Sequence, residues 1–169
     1  KPGEVPNINL YMDQVTTFMD EHLSDGKRHE DDKILTKTMI NNYTKNDLLP
    51  APVKKKYSKD HIYILTFIYY FKNILSINDI DKLMGPLRED YFNKDGKRLS
   101  LEDIYESVFS KSVGQLDQLK ADVVHEAELA SEASNGADPE DADYLTMFSF
   151  ICMLGFDAYV KKLMIEKLI

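Results

Sequence analysis

The sequence predicts an all-α chain in which a winged helix-turn-helix is followed by a C-terminal helical hairpin. Three observations carry that prediction. Residues 34–84 hold, in order, a short polar helix, a proline-punctuated basic loop, a longer apolar helix and a further capped helix, the succession of a winged helix-turn-helix. Residues 100–130 and 139–167 repeat apolar side chains at helical spacing on either side of an SNGADP break, which makes a hairpin. The composition, 43% hydrophobic and 30% charged over 169 residues, is that of a globular chain that folds without covalent staples. The expected boundary separates a domain at 1–97 from a helical region at 98–169.

Each element has a local reason. Asn9 is placed to cap a first helix whose Leu10, Val15, Phe18, Met19 and Leu23 share one face. The following SDGKRHEDDK (Ser24 to Lys33) lacks apolar periodicity and reads as a loop, and the flanking His22 and His29 lack the spacing of a metal pair. Thr36 caps a second helix with Lys37, Asn41 and Lys45 on one face, Thr38 and Asn42 beside them, and Ile40 and Tyr43 turned to the core. Pro50 and Pro52 end it, so LLPAPVKKKY becomes an irregular surface loop carrying Lys54, Lys55 and Lys56.

Ser58 opens a third helix, about 59–73, that buries Ile62, Leu65, Phe67, Ile68, Phe71 and Ile74, with Tyr63, Tyr69 and Tyr70 as core and rim. Ser76 with Asp79 caps the next helix. GPLREDYFNKDGKR then reads as a connector broken at Gly85-Pro86 and Asp95-Gly96, with one short helix from Leu87 to Phe92. Ser100 with Asp103 starts a single long amphipathic helix to about residue 130. Asn135-Gly136 closes it, and Asp138, Pro139, Glu140 and Asp141 form the start of the last helix. From Leu145 to Val160 that helix is apolar almost all round and must be covered on more than one side.

The net charge of −8 argues against a generic polyanion binder, but the charge is segregated. Residues 33–59 carry seven lysines against Asp47 alone, a net of +6, whereas residues 91–169 carry 8 basic and 15 acidic side chains, a net of −7. A locally basic surface in an acidic chain is the electrostatic footprint of a dedicated face. Other classes fall away. There is no paired-carboxylate, nucleophile or glycine-rich phosphate motif, so no enzyme and no cofactor is expected. The one cysteine, Cys152, lies in an apolar run, reads as a buried thiol and fits a reduced, cytoplasmic compartment. No uncharged run is long enough to span a bilayer, so no membrane association is expected.

The runs INNYTKNDLLPAP, KKKYSKDHIYIL and ILSINDIDKLM resemble the DNA-binding domain of MerR-type transcriptional regulators, over about 50 residues in fixed order. In that family a helix ends in a Tyr-containing segment before a Leu-Leu-Pro exit, and a basic wing leads to a Tyr-Ser cap. From about Val5 to Leu168 the chain also resembles an uncharacterised domain-of-unknown-function family of low-GC Gram-positive bacteria. It departs from the MerR pattern in having Asn41 where an Arg is usual, Asp47 in place of the helix-ending Gly, a short wing with Lys55 nearest the usual Arg, and the Ser24 to Lys33 insertion.

The resemblance implies a transcriptional regulator that binds double-stranded DNA as a homodimer, with 98–169 as its dimerisation and regulatory region and a small-molecule effector as a further partner. Thr38, Asn41 and Asn42 would reach base edges; Lys37, Lys45, Lys54, Lys55 and Lys56 would hold phosphates. The alternative is a helical protein-interaction or ligand-sensing module that no longer binds DNA.

Overall fold

The computed structural model describes residues 3–94 and 96–169. Lys1 and Pro2 of the lead-in, and the Asp95 of the expected Asp95-Gly96 break, lie outside the described residues. The described chain is mainly helical, as the all-α expectation required. Its order is β1 (Leu10–Tyr11), α1 (Met12–Leu23), α2 (Lys37–Lys45), β2 (Lys56–Tyr57), α3 (Lys59–Phe71), α4 (Ile77–Tyr91), α5 (Leu101–Gly114), α6 (Leu116–Glu132) and α7 (Pro139–Leu168). A 3-10 turn occupies Ser24–Gly26. Two compact units divide it, the first ending at Phe109 and the second starting at Ser110. No helix among the described residues is long and apolar enough to cross a membrane.

The first unit is built around α3, in which every residue from His61 to Tyr69 is buried. A helix buried on all sides needs neighbours all round. The other buried residues of the unit include Val15 and Met19 of α1, Ile40 and Tyr43 of α2, Ile80 and Met84 of α4, and Leu101 and Tyr105 of α5. Tyr105 meets Tyr63 and Phe67, and Phe109 meets Phe67, with ring centroids 4.6–5.8 Å apart. Ile74, expected in the core, is 40% exposed because α3 ends at Phe71.

Four local expectations are revised by contacts between distant residues. Leu10 and Tyr11 do not open α1. They form β1, which pairs antiparallel with β2 in the register Leu10↔Tyr57 and Tyr11↔Lys56, so α1 starts at Met12. The lysine loop is not irregular but a two-residue hairpin, described below. α4 runs through Gly85-Pro86 to Tyr91. Proline inside a helix costs about 3 kcal/mol through its missing N–H and its clash one turn back. Here buried Ile80 and Met84 fix the turns before it, and Arg88 reaches back across it to Asp81 at 2.6 Å. Finally, the long helix expected over 100–130 breaks at Gln115, whose N–H bonds to Ser112 three residues back, next to flexible Gly114.

The second unit is an antiparallel hairpin of α6 and α7, joined by a turn in which Gly136 takes a φ of 89°. α7 opens as its cap residues foretold, from Asp138 with Pro139 at its first position. It has no buried residue over its 30 residues. Phe150, Met153 and Leu154 are half-buried, while Met147, Phe148, Ile151 and Phe156 are exposed. Cys152 is exposed too, against the expectation of a buried thiol, because an apolar run is covered only where a neighbour lies on it.

Candidate nucleic-acid interface

α2 is positioned by side chains that grip its ends. Thr36 caps it, its hydroxyl accepting the Met39 N–H at 3.1 Å. Before the cap, Lys72 at the C-cap of α3 donates to the Ile34 carbonyl at 2.8 Å, with its ammonium over the Tyr69 ring; burial lowers its pKa. After α2, Arg88 of α4 approaches the Leu48 carbonyl at 3.4 Å. Between these clamps the helix closes with a Schellman motif: Leu48 N–H to Tyr43 O at 2.9 Å, and Asp47 N–H to Thr44 O at 3.3 Å. Asp47 has a φ of 57°, the left-handed conformation for which glycine is favoured.

Ile40 and Tyr43 anchor the inner side of α2. Lys37, Thr38, Asn41, Asn42 and Lys45 all fall on the exposed side, within an arc of about 140° at 100° per residue. The face is not wholly unengaged. Lys37 forms an ion pair with Asp13 at the start of α1. Asn46 donates its side-chain amide to the Asn42 backbone carbonyl at 2.8 Å, which leaves the Asn42 side chain outward.

The segment expected to form a wing is a short hairpin at Val53–Lys56. Val53 bridges Lys56, and the Lys56 N–H donates to the Val53 carbonyl at 3.0 Å. Lys54 and Lys55 occupy the two central positions with φ of 51° and 63°. Positive φ at both is the signature of a type I′ turn, which Asn-Gly fills easily and L-residues with long side chains fill at about 1–2 kcal/mol each. Beside it the Lys56 ammonium lies 5.2 Å from the centre of the Tyr11 ring, across the β1–β2 pair. Lys45, Lys54, Lys55 and Lys56 are exposed and have no carboxylate within ion-pair distance among the described residues.

The hairpin is fastened to the core by His61. The Ser58 N–H donates to His61 Nδ1 at 2.9 Å, a capping box with imidazole in the usual Glu or Gln position. Because Nδ1 accepts, the proton sits on Nε2, which is buried and turned toward the backbone of Pro50 and Ala51 without reaching hydrogen-bond geometry. Burial lowers the imidazole pKa to about 4, against a smaller upward pull from the Ala51 and Pro50 carbonyls. Tyr57 and Phe92 meet the ring edge-on at 5.3 and 4.7 Å.

Lys72, Arg88 and Asp13 were missed from sequence, since each acts on a partner far along the chain. His61 is only three residues from Ser58 and was missed because imidazole takes the capping-box position usually held by Glu or Gln. Of the distant pairs only Arg88 had a signal: in a continuous helix Asp81 and Arg88 lie two turns apart on one side. The Ser24 to Lys33 insertion is also more ordered than its composition suggests. Lys27 pairs with Asp20 at 2.8 Å, Asp32 Oδ2 accepts the N–H groups of Arg28 and His29 at 3.2 and 3.0 Å, and Gly26 packs against the Tyr69 hydroxyl. No cluster of His, Cys, Asp and Glu suited to a metal ion occurs among the described residues.

Fold and surface together define a mostly helical domain whose aromatic core holds out a short basic helix and a lysine-tipped hairpin. Residues 1–108 match the family described as a domain of unknown function (DUF1836), and the chain belongs to that family. No curated protein and no solved structure matches the chain.

Proposed function

We propose that the protein is a DNA-binding transcriptional regulator that lays α2 in the major groove and holds the flanking backbone with its wing, in the manner of a MerR-type winged helix-turn-helix. The observation that carries this reading is the hairpin tip. Two consecutive lysines are kept in a left-handed conformation where Asn-Gly would be less strained. Backbone strain of that kind concentrates at functional positions, and what the lysines contribute in exchange is two unpaired cations at the most protruding point of the wing. Asn41 and Asn42 supply the paired donor and acceptor that suit adenine, Thr38 reaches a neighbouring base edge, and Lys45, Lys54, Lys55 and Lys56 hold phosphates. Lys37 joins them once phosphate displaces Asp13. The regulator acts as a homodimer through its C-terminal hairpin, which extends the site to two half-sites.

Replacing Lys54-Lys55 by Asn-Gly tests the reading, because it separates charge from turn geometry. The variant should gain about 1 kcal/mol in stability by relaxing the turn. Its DNA affinity, measured by mobility shift on pooled genomic fragments, should fall, and the slope of log K against log salt should shallow by roughly 0.9 for each phosphate contact removed. A variant that is stabilised and keeps both affinity and slope would show the lysines to be merely solvated. The interaction-module alternative is favoured by the uncovered apolar side of α7, and a chain that shifts no fragment at low salt would establish it over DNA binding.

A further inference from the structure

α7 carries two apolar seams, and its own hairpin uses one. Ala142, Thr146, Ser149, Phe150 and Met153 lie half-buried on the side toward α6. On the opposite side Asp141, Tyr144, Phe148, Ile151, Gly155, Ala158 and Lys162 follow at alternating steps of three and four, the repeat of a helix seam that meets another helix. All of them are exposed. Tyr144, Met147, Phe148, Ile151 and Tyr159 on and beside this seam are 51–58% exposed. At about 100 Å² each they present ~500 Å², toward the upper end of what monomers leave uncovered and a large share of the ~800 Å² each partner contributes to a stable interface.

Two features of the seam identify its occupant. First, it starts at an acid, Asp141, and ends at a cation, Lys162. Laid antiparallel on a copy of itself it places each carboxylate against the other chain's ammonium; laid parallel it opposes like charges. Second, Gly155 sits inside a 30-residue helix, where glycine is unfavourable, yet a Cβ there would meet nothing within 4 Å. Nothing among the described residues of its own chain calls for glycine. In the antiparallel pairing centred between Ile151 and Cys152, position 155 lies opposite Phe148, the bulky ring over the residue with no side chain, while Tyr144 faces Tyr159.

We propose that α7 pairs antiparallel with α7 of a second copy along this seam, Phe148 of each seated on Gly155 of the other, so that two α6–α7 hairpins close into a four-helix bundle. The pairing deepens the homodimer of the proposed function and rests on it. It also places Cys152 of each chain beside the two-fold axis.

The test uses the full chain. Light scattering should give twice the 19.5 kDa chain mass. A short bis-maleimide, each ring adding one Cys152 thiolate across its carbon–carbon double bond, should give a covalent dimer that Cys152→Ser abolishes. Gly155→Leu raises helix propensity but fills the notch, so helicity by circular dichroism should hold or rise while the dimer dissociation constant rises by roughly 10- to 100-fold. Asp141→Lys should weaken the dimer, and Asp141→Lys with Lys162→Asp should restore it. A mass that stays at 19.5 kDa as concentration rises overturns the pairing and the homodimer together. A dimer that tolerates Gly155→Leu and resists cross-linking overturns this pairing and leaves the homodimer standing.

Discussion

Asp47→Gly should stabilise the protein, and the size of the effect follows from three opposing contributions. Asp47 holds a φ of 57° at the position after the α2 cap, bonded into the Schellman motif through Thr44 and Tyr43. A left-handed L-residue costs about 1–2 kcal/mol, with Asp toward the lower end because short polar side chains tolerate the conformation. The aspartate also brings a carboxylate to the C-terminal end of a helix, unfavourable by roughly 0.3–1 kcal/mol. Glycine removes both penalties and gives back about 0.5–1 kcal/mol in unfolded-chain entropy. The net gain is about 1 kcal/mol. Urea unfolding followed by circular dichroism would read it as a higher midpoint at an unchanged slope. Asp47→Ala separates the parts: it removes the charge and keeps the Cβ, so it should recover only the electrostatic share and fall below glycine. Were alanine and glycine equal, or glycine destabilising, the left-handed conformation would not be what Asp47 strains against.

Two further predictions concern the core beneath the proposed interface. His61 is held neutral by burial at a pKa of about 4 in the folded protein, against an ordinary value of 6.5, so the unfolded chain takes up a proton first as pH falls. The stabilisation is complete above pH 6.5 and declines by at most about 1.4 kcal/mol per pH unit down to pH 4. His61→Gln, which keeps a capping-box side chain, should flatten that part of the stability profile; an unchanged profile would mean that His61 is not the responsible group. Gly26→Ala would place a Cβ 2.6 Å from the Tyr69 hydroxyl, whose ring is buried in α3, and should destabilise by about 1–3 kcal/mol. Adding Tyr69→Phe removes the oxygen and should restore most of the loss in a thermal melt, whereas additive effects would show that the two residues do not touch.

The elements legible in the sequence are those whose causes are local. Thr36 bonding Met39, Ser76 bonding Asp79 and Ser100 bonding Asp103 each join residues three apart, so the start of α2, α4 and α5 could be read from adjacent letters. The polar arc of α2 was legible for the same reason, because helical spacing alone puts Lys37, Asn41 and Lys45 on one side. Of the wing, the lysines were visible but not the turn. Without a glycine nothing announces a type I′ hairpin, and it forms because Lys56 and Tyr57 are drawn into pairing with β1 from before α1.

By itself, then, the sequence determined where α2, α3, α4, α5 and α7 begin, which face of α2 is apolar, and that the positive charge gathers between residues 33 and 59. Tertiary structure alone decided that Leu10 and Tyr11 become a strand, that α4 continues through Pro86, that Lys37 is held by Asp13, and that α2 is clamped by Lys72 and Arg88. The reason is loop closure. A contact between residues far apart forms only when the whole core has already met the entropy of bringing them together, and once it forms it can override a local preference worth a few kcal/mol.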